Sequence, residues 1–501
     1  MERVEIAIVG AGFSGLGMAI RLKQEGIDDF VVIERGDDIG GTWRDNAYPG
    51  CQCDIASHLY SYSFAPNPDW SRGLSPQPEI HAYLRDCAER FGVVPHLRLG
   101  HEVEELAWDE ETRRWRIGTN AGSFDAKLVV QASGPMSEPV VPDVPGRFEG
   151  TAFHSARWPR DFDPAGRRVA VVGTGASAIQ IVPEIQPLVE RLVVVQRTPP
   201  WVAPKIKRRI TRLERRLYRR VPIAQRIART SLFAFYETII VGLRHPRLAA
   251  ASEMLAWQNA RLRIRDRELL EKVRPRYRIG CKRLLLSNGW YPALAAPNAE
   301  VVNAGVRELR ERSIVTADGQ EHDVDAIVWA TGFRMTDPPI ADRVRGRGGL
   351  RLGDLWYEHS PRALRGMTAP GFPNYFMLAG PNTGSGNNSL IYNVESQIAY
   401  VLGCLRTMSE RRLASVEPTR QAEEEWTRRV RERFEGTVWA TGCASHYLDR
   451  HGRNVAIWPD PMLRYRAYTR RFDPDEYVLE PEAAPLSAPP RAPAAAPAAA
   501  R

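Results

Sequence analysis

The chain has 501 residues, of which 43% are hydrophobic and 26% are charged, a composition ordinary for a globular protein of two or three domains. Its formal net charge of +9 would suit an anionic partner, but the positive residues are spread through the sequence apart from one concentration at 205–220. Nucleic-acid binding is not expected, because a solvated helix face or a bound phosphate uses the same residues.

The six cysteines show neither the spacing of a metal site nor a disulfide framework, so we expect a cytoplasmic protein in a reducing cytosol and no metal. The N-terminus enters a strand at once, which leaves no room for a signal peptide. The most apolar later run, 231–243, is interrupted by Glu237 and is too short to span a bilayer. We expect this run to form a buried helix, while a peripheral membrane contact stays open.

The first predicted unit is a strand, a glycine-rich turn, a helix and a second strand. Residues 4–9 form an apolar run, the helix continues to Leu22, and the second strand covers 30–33. Glycines in such a turn let backbone N–H groups approach a pyrophosphate, and Glu34 after the second strand can accept hydrogen bonds from ribose hydroxyls. The combination predicts an FAD-binding unit. Its turn consists of Gly10, Gly12, Phe13, Ser14 and Gly15.

A second unit of the same kind has strands at 168–172 and 192–196 and a helix that ends at Ile185. Its second strand leads into Arg197 and Thr198 instead of an acid. A guanidinium and a hydroxyl at this position suit a 2′-phosphate, so NADP is favoured over NAD. The other residues expected to bind this cofactor are Gly173, Thr174, Gly175, Ala176, Ser177 and Gln180.

The loop at 40–54 is rich in Gly, Pro and Asn, and a nucleotide is the natural partner of such an ordered loop. From the residues alone, Asp54 is either a carboxylate beside the cofactor or a simple cap or turn residue. The other residues expected to contact FAD here are Arg35, Thr42, Trp43 and Tyr60.

Two further segments are ambiguous from the residues alone. Segment 148–159 joins the two units, and its His154 and Trp158 have the spacing of a packed turn more than that of a site. The pair Lys282 and Arg283 directly precedes an apolar triplet, which indicates either a partly buried cation or surface decoration.

These patterns predict an α/β fold with two Rossmann-like dinucleotide-binding domains, one for FAD and one for NADP, and a helical insertion in the second. The charge run of the insertion is most simply a solvated face. The expected boundaries are 1–145 and 363–480 for the FAD domain with its lid, 146–200 and 276–362 for the NADP domain, 201–275 for the insertion, and 481–501 for a disordered Ala/Pro tail.

Two patterns resemble those of the type I Baeyer–Villiger monooxygenases, which are class B flavoprotein monooxygenases, and the likeness runs from about residue 4 to about residue 476. The segments 379–384 and 452–454 look closest to the branch that includes 4-hydroxyacetophenone monooxygenase. The pattern Phe-x-Gly-x-x-x-His-x-x-x-Trp-Pro is met by Phe148, Gly150, His154, Trp158 and Pro159. The pattern Gly-Gly-x-Trp-x4-Tyr-Pro-Gly-x3-Asp is met by Gly40, Gly41, Trp43, Tyr48, Pro49, Gly50 and Asp54.

The resemblance implies that NADPH reduces FAD and that a C4a-peroxyflavin formed with O2 converts a small-molecule ketone to an ester or lactone. Arg283 resembles the active-site arginine of the family, and Asp54 resembles its carboxylate partner. Lys282 resembles a residue that holds the 2′-phosphate together with Arg197 and Thr198. Neither nucleic-acid binding nor stable membrane insertion is implied.

Three alternatives stay open. The nearest is a monooxygenase that oxygenates sulfur or nitrogen. The second is a disulfide reductase, which is less consistent with the sequence because Trp43 stands where its redox cysteine would follow Gly-Gly-Thr. The third is a nucleotide-binding sensor without turnover. The sequence also departs from the branch pattern. Gly289-Trp290 replaces Asp-Tyr, and His446 replaces the Trp before Tyr447, which we expect to alter how the lid contacts NADP.

Overall fold

The computed structural model describes residues 1–482 and confirms an α/β fold built on two parallel-type sheets. The strands are β1 (Glu2–Val9), β2 (Phe30–Ile33), β3 (Leu97–Arg98), β4 (Val103–Asp109), β5 (Arg114–Thr119), β6 (Gly122–Gln131), β7 (Thr151–His154), β8 (Arg168–Val172), β9 (Arg191–Val195), β10 (Val202–Ala203), β11 (Leu285–Leu286), β12 (Ala299–Val302), β13 (Val306–Arg310), β14 (Ser313–Thr316), β15 (Glu321–Asp323), β16 (Ala326–Trp329), β17 (Val344–Arg345), β18 (Tyr375–Met377), β19 (Leu413–Pro418) and β20 (Tyr477–Pro481). The helices are α1 (Phe13–Gln24), α2 (Thr42–Asp45), α3 (Gln77–Arg90), α4 (Ala178–Ile185), α5 (Arg212–Arg220), α6 (Pro222–Arg244), α7 (Pro246–Arg261), α8 (Arg267–Lys272), α9 (Trp290–Leu294), α10 (Leu352–His359), α11 (Leu390–Arg411), α12 (Arg420–Phe434) and α13 (Met462–Thr469).

The first sheet has the order β17-β4-β5-β6-β1-β2-β3, and β18 also pairs with β6. Strands β1, β2 and β6 are parallel and fully or largely buried, as expected of strands covered on both faces. Strands β4, β5 and β6 pair antiparallel and form a meander. Helix α1 connects β1 to β2, so the glycine turn lies at the carboxyl end of β1.

The second sheet is wholly parallel and has the order β12-β9-β8-β16-β7. Strands β8 and β9 carry runs of Val and Leu that are buried, and α4 connects them. Segment 148–159, whose spacing is more typical of a packed turn, supplies strand β7 at the edge of this sheet. In the register of β7 and β16, His154 pairs with Trp329. The linker is therefore part of the second sheet.

The helical insertion is present as α5 to α8, and a proline stands at the start of two of its helices. Pro222 and Pro246 each stand at the first position of a helix, where the missing N–H costs no intrahelical bond. The expectation that 231–243 is a buried helix is wrong for most of its length. In α6 only Gln225, Ile240 and Leu243 are buried, while Phe235 is 63% exposed. Within residues 1–482, no helix is both long and apolar enough to cross a bilayer.

Two expected boundaries need correction. Strand β17 pairs with β4 in the first sheet, so the chain has left the second sheet before residue 344 and not at 362. Strand β20 runs to Pro481 and pairs with β19, so the ordered chain continues past the expected end at 480. The expectation of a tail without structure at 483–501 lies outside the described residues.

The expectation that the cysteines form no disulfide is also wrong. Cys281 and Cys443 are joined by a disulfide between positions 162 residues apart in sequence. Their separation hides the pairing from any spacing rule, and its presence removes one reason for expecting a reducing compartment. The other cysteines, Cys51, Cys53, Cys87 and Cys404, are free and buried.

Candidate active site

One cleft at the carboxyl end of β1 collects nearly all residues predicted to bind FAD. Its lining belongs to several separate stretches of chain that the first sheet and α1 bring together. The predicted residues among its lining are Gly10, Gly12, Phe13, Ser14, Glu34, Arg35, Thr42, Trp43 and Tyr60. Gly15 lies in the first turn of α1, whose N–H groups face this cleft.

Glu34 is the buried acid of this cleft and is only 5% exposed. Its carboxylate accepts hydrogen bonds from the backbone N–H groups of Ala11 and Gly36, each at 2.8 Å, and from Arg44 at 2.7 Å. A carboxylate offers about four lone-pair sites, so at least one stays available to a ribose hydroxyl. The donor set therefore fits the adenosine half of FAD.

The turn after β8 has the geometry expected of a second dinucleotide site. Gly173 has φ of +119°, and a Cβ there would lie 2.3 Å from the carbonyl oxygen of Ala330, so a side chain is excluded. A Cβ at Gly175 would meet no atom within 4 Å, so the space above the turn is open to a ligand. Thr174 donates a hydrogen bond to the carbonyl oxygen of Thr198 at 3.1 Å, which joins the turn to the expected ribose position.

Gln180 was predicted to bind NADP, but its side chain contacts the first domain. Its amide oxygen accepts hydrogen bonds from the Tyr48 hydroxyl at 3.2 Å and from the Gln52 backbone at 3.3 Å. Its amide nitrogen donates to the carbonyl oxygen of Gln52 at 3.1 Å. Gln180 therefore ties α4 to the loop that ends in Asp54.

Arg197 and Lys282 are close enough to repel each other. Burial, and then the charge of Arg197, lower the pKa of Lys282 below its usual value. Within residues 1–482 neither side chain forms an ion pair. Two unpaired cations beside the end of β9 fit a 2′-phosphate, which would relieve their repulsion.

Asp54 and Arg283 come together although 229 positions separate them. The Arg283 guanidinium donates two hydrogen bonds to Asp54, from Nε to Oδ2 at 2.7 Å and from Nη2 to Oδ1 at 2.8 Å. The Arg283 side chain is 34% exposed and the Asp54 side chain is 26% exposed, so the pair stays partly accessible. The bidentate geometry fixes the plane of the guanidinium and leaves Nη1 free of this pair.

The pair stabilises both charges. The negative charge of Asp54 raises the pKa of Arg283 above its usual value, against the effect of burial. Burial alone would raise the pKa of Asp54, but the charge and hydrogen bonds of Arg283 hold it below its usual range. The site therefore offers a permanent cation with a fixed orientation over a wide pH range.

Four residues outside the predicted site residues lie near this pair, and of these only His446 was expected to matter, through the contact of the lid with NADP. Lys205 and Tyr236 belong to the helical insertion, and the charges of Asp54 affect the pKa of both. Burial lowers the pKa of Lys205 to about 8, and burial raises that of Tyr236. No fingerprint or spacing marks these positions, because only the folding of the insertion over the Asp54 loop brings them to the site.

The other two, His446 and Tyr447, belong to the loop that follows Cys443. Burial and the positive charges of Arg283 and Lys282 lower the pKa of His446 to about 4, so the imidazole is neutral near pH 7. Tyr447 is 4% exposed, and burial raises its pKa although Arg283 opposes the change. Because the disulfide links Cys443 to Cys281, this loop is fastened one residue before the Lys282-Arg283 pair.

The departure from the branch pattern at Gly289-Trp290 lies at the start of a packed helix. A Cβ at Gly289 would lie 2.8 Å from the side chain of Pro183 in α4, and Trp290 is completely buried at the start of α9. Gly289 thus allows α9 to approach α4 closely. This change affects how two helices of the second domain pack.

His154 is 3% exposed, and its Nδ1 accepts a hydrogen bond from the N–H of Ala156 at 3.1 Å. Burial lowers its pKa to about 4, so it is neutral at physiological pH. The imidazole caps the short turn after β7 and packs against Phe333, with ring centroids 5.4 Å apart.

The cleft at the carboxyl end of β1, the open glycine turn after β8 and the arginine–carboxylate pair are together the features of a flavin- and nicotinamide-dependent oxidoreductase. The family model of the pyridine nucleotide-disulphide oxidoreductases matches residues 7–229. The chain is 50% identical over 489 residues to a Baeyer–Villiger monooxygenase of Streptomyces coelicolor, covering 96% of this chain and 94% of that one. It is 46% identical over 481 residues to a Baeyer–Villiger monooxygenase of Pseudomonas aeruginosa, covering 95% and 91%.

Solved structures agree with these relatives. A closed crystal structure of cyclohexanone monooxygenase superposes with a TM-score of 0.87 at 28% identity, covering 96% of this chain and all of that one. An oxidised steroid monooxygenase bound to NADP gives a TM-score of 0.85 at 28% identity with the same coverage. The chain belongs to the Baeyer–Villiger monooxygenases. It is an enzyme that uses FAD and NADPH to oxidise ketones to esters or lactones.

Proposed function

We propose that Arg283 is the catalytic residue of this enzyme and that Asp54 positions it. The observation that carries the proposal is the bidentate contact between the two side chains, both of which stay partly exposed. A guanidinium cannot lose its proton at neutral pH, so it is a constant electrostatic partner for negative charge. Asp54 fixes its plane and offsets part of its charge when the site is empty of anions.

The flavin, reduced by NADPH, supplies one oxygen atom of O2 for insertion next to the ketone carbonyl. Arg283 donates hydrogen bonds to the oxygen atoms on which negative charge develops, in a site that is already oriented before the reaction. Removal of one such donor typically costs about 3 kcal/mol, which is on the order of 10²-fold in rate.

We propose that NADP is held at its 2′-phosphate by Arg197, Thr198 and Lys282, and that FAD lies in the first cleft with Glu34 at its ribose. The unpaired, mutually repelling cations support the first assignment. The network at Glu34 and the lining of the cleft support the second. The NADP cofactor would shield the site from water together with the loop at 443–447.

The domain ranges are proposed as 1–145 with about 336–482 for FAD and 146–200 with 276–335 for NADP, with 201–275 as the insertion. The shift from the expected boundary follows from the pairing of β17 with β4. The relation to the branch of 4-hydroxyacetophenone monooxygenase is proposed on segments 379–384 and 452–454.

Product analysis tests the function. The purified FAD-loaded protein is incubated aerobically with NADPH and aryl, cyclic or long-chain ketones, with thioanisole in parallel, and products are analysed for a mass gain of one oxygen atom. We expect esters or lactones with the native chain and about a 10²-fold lower rate for Arg283→Ala. Arg278→Ala is a matched control, because its guanidinium lies on the same segment but pairs with Glu253.

Oxygenation at sulfur is the alternative activity to be separated in the same experiment. Sulfoxide without ester, at a rate that Arg283→Ala leaves unchanged, would contradict the assignment of Arg283. Loss of ester formation with retention of NADPH oxidation by Arg283→Ala would place the defect in the oxygen-transfer step.

A further inference from the structure

The outer face of the helical insertion is both strongly basic and apolar. Segment 207–220 carries eight Lys or Arg residues and a single acid, Glu214. We define the insertion face as the exposed side chains of this segment and of α6. We propose that the insertion face binds the surface of a membrane that contains anionic lipids.

The basic part of the face has charges that the protein does not neutralise. Arg208 pairs with Glu214 at 2.7 Å, and Arg219 pairs with Asp69 at 2.5 Å. The remaining exposed cations have no ion-pair partner within residues 1–482, and they are Lys207, Arg209, Arg212, Arg216 and Arg220. Repulsion among such charges is relieved by anions, and an anionic membrane surface attracts basic segments of this kind.

The apolar part alternates with the charges at helical spacing. In α5, Leu213, Arg216, Leu217 and Arg220 stand at i, i+3, i+4 and i+7, so they share one face. Leu213 is 76% and Leu217 is 47% exposed, and no residue of α5 is buried. An apolar stripe between arginines is the pattern of a helix that lies in a membrane interface.

Helix α6 packs against α5, adds one exposed cation, Arg226, in its second turn, and extends the apolar surface beyond it. Ile223 and Ile227 are 56% and 60% exposed, and they align with the exposed residues Thr230, Ala234, Thr238 and Val241. The charged residues between Ile227 and Val241 are Arg229 and Glu237, and both turn toward the protein.

The contacts of these two charged residues establish their direction. Arg229 donates to the carbonyl oxygen of His58 at 2.7 Å. Glu237 accepts from Asn388 at 3.0 Å and from the backbone of Met462 at 2.9 Å. The outward face of α6 is thereby left to uncharged side chains over four turns.

The pattern of charged and apolar residues favours a membrane surface over a second copy of the chain or a nucleic acid as the partner of the insertion face. A second copy would bring the same unpaired arginines together, and their repulsion would oppose a symmetric contact. Nucleic acid would satisfy the arginines, but stacking along a single strand needs several aromatic side chains, and the exposed apolar residues of the face are aliphatic except for Phe235. Anionic lipid satisfies both parts, because phosphates bind the guanidinium groups and the acyl region accepts the aliphatic side chains.

Vesicle flotation with the full FAD-loaded chain tests this proposal without reference to catalysis. Vesicles of phosphatidylcholine alone are compared with vesicles that also contain phosphatidylglycerol, at low and at high salt. We expect the protein to float with the anionic vesicles only and salt to weaken the association, because the charges are exposed.

Two variants separate the contributions of charge and apolar surface. Arg212→Gln/Arg216→Gln/Arg220→Gln removes three unpaired charges, and Leu213→Ser/Leu217→Ser/Ile223→Ser keeps all charges. Each is expected to weaken vesicle binding at least tenfold while bound FAD and NADPH oxidation stay unchanged. The control Arg147→Gln/Arg312→Gln/Arg428→Gln lowers the net charge equally at other surfaces and should float like the native chain.

Several outcomes would overturn the proposal. Equal flotation with neutral and anionic vesicles, or equal losses in the control, would remove the role of this face. Light scattering that detects a dimer broken by the leucine variant would assign the face to a second copy. Binding of an RNA oligonucleotide that the leucine variant retains, without flotation, would assign it to nucleic acid.

Discussion

At the scale of single residues, we propose that the cations near the end of β9 determine the choice of nicotinamide cofactor. Arg197 is exposed, and its positive charge lowers the pKa of Lys282 in addition to the larger effect of burial. Only a cofactor with a 2′-phosphate can exploit both. A bound phosphate group therefore turns an unfavourable pair into a favourable triad.

Arg197→Ala should raise KM for NADPH about 10- to 100-fold, since a hydrogen bond to a charged group contributes about 1.5–3 kcal/mol. KM for NADH should stay nearly unchanged. Steady-state kinetics with both cofactors provide the measurement. Arg191→Ala is the matched control, because Arg191 begins β9, the strand that leads to Arg197, and pairs with Glu300. An equal rise for both cofactors would refute the phosphate contact.

His154 makes stability depend on pH. Its pKa is lowered to about 4 in the folded chain, whereas an exposed imidazole has a pKa of about 6.5. Between these values the unfolded chain binds more protons, so the free energy of unfolding rises with pH through this window. We expect the contribution of His154 to make the protein about 2 kcal/mol less stable at pH 5 than at pH 7.

His154→Asn should remove this part of the pH dependence and keep the acceptor for the N–H of Ala156. Chemical denaturation of the FAD-loaded protein at both pH values measures the difference. The same slope in the variant and the native chain would mean that another group, and not His154, accounts for it.

Residues with a backbone role could be predicted, and residues placed by long-range folding could not. Glu34 and Arg197 follow strands at fixed distances from glycine turns, so their chemistry can be inferred from position. Tyr236 and Lys205 lie in a segment whose composition indicates only helices and surface charge. Gln180 lies within the fingerprint, and its hydrogen bonds to Tyr48 and Gln52 are a contact that the fingerprint does not predict, while its role toward NADP stays a prediction.

At the scale of elements, the disulfide is the contact that fastens the loop at 443–447 to the catalytic segment. It joins Cys281, one residue before Lys282, to Cys443, three residues before His446. The two elements approach through the packing of α6 and the turn at Val438, which is fully buried. The loop is thereby held where its side chains reach Arg283 and Lys282.

Reduction of this disulfide should lower the free energy of unfolding by about 2–5 kcal/mol, because the crosslink constrains a long loop in the unfolded chain. It should also raise KM for NADPH several-fold by releasing the loop beside Lys282. Cys443→Ser should reproduce both effects and should no longer respond to reductant. Unchanged thermal unfolding and KM after complete reduction would contradict the role of the crosslink.

Element ends were predictable where local chemistry sets them. Strands β2 and β8 have the predicted bounds, because Gly and charged residues flank short apolar runs. The burial of α6 was not predictable. Its apolar residues are numerous enough for a core helix, and only the structure shows that its inner face covers the Asp54 loop while its outer face stays exposed.

At the scale of the whole molecule, the two domains are interleaved along the chain. The first sheet takes strands from the start of the chain and from β17 and β18, and the second sheet lies between them in sequence. A strand of two residues such as β17 carries no pattern of its own, so the domain boundary could not be predicted from the sequence.

Because FAD is proposed to lie in the cleft of the larger sheet, we expect it to stabilise the whole chain. At a free FAD concentration of about 100 Kd, binding contributes about 2.7 kcal/mol to the free energy of unfolding. Denaturation monitored with and without added FAD, after removal of the bound flavin, measures this effect. Glu34→Gln should reduce the stabilisation by FAD because it weakens FAD binding, whereas Glu5→Gln at an exposed position should leave this stabilisation unchanged. A gain that is equal in the native chain and Glu34→Gln would oppose the assignment of Glu34.

The central claim is that Arg283 performs the chemistry and that Asp54 acts through it. The rate of ester formation at saturating NADPH and ketone is therefore compared among the native chain, Asp54→Ala, Arg283→Ala and the double variant, all with full FAD content. We predict a loss of about 10²-fold for Arg283→Ala and no further loss in the double variant, because residues that act as a unit are not additive. Losses that multiply in the double variant, or a native rate in Arg283→Ala, would contradict the account.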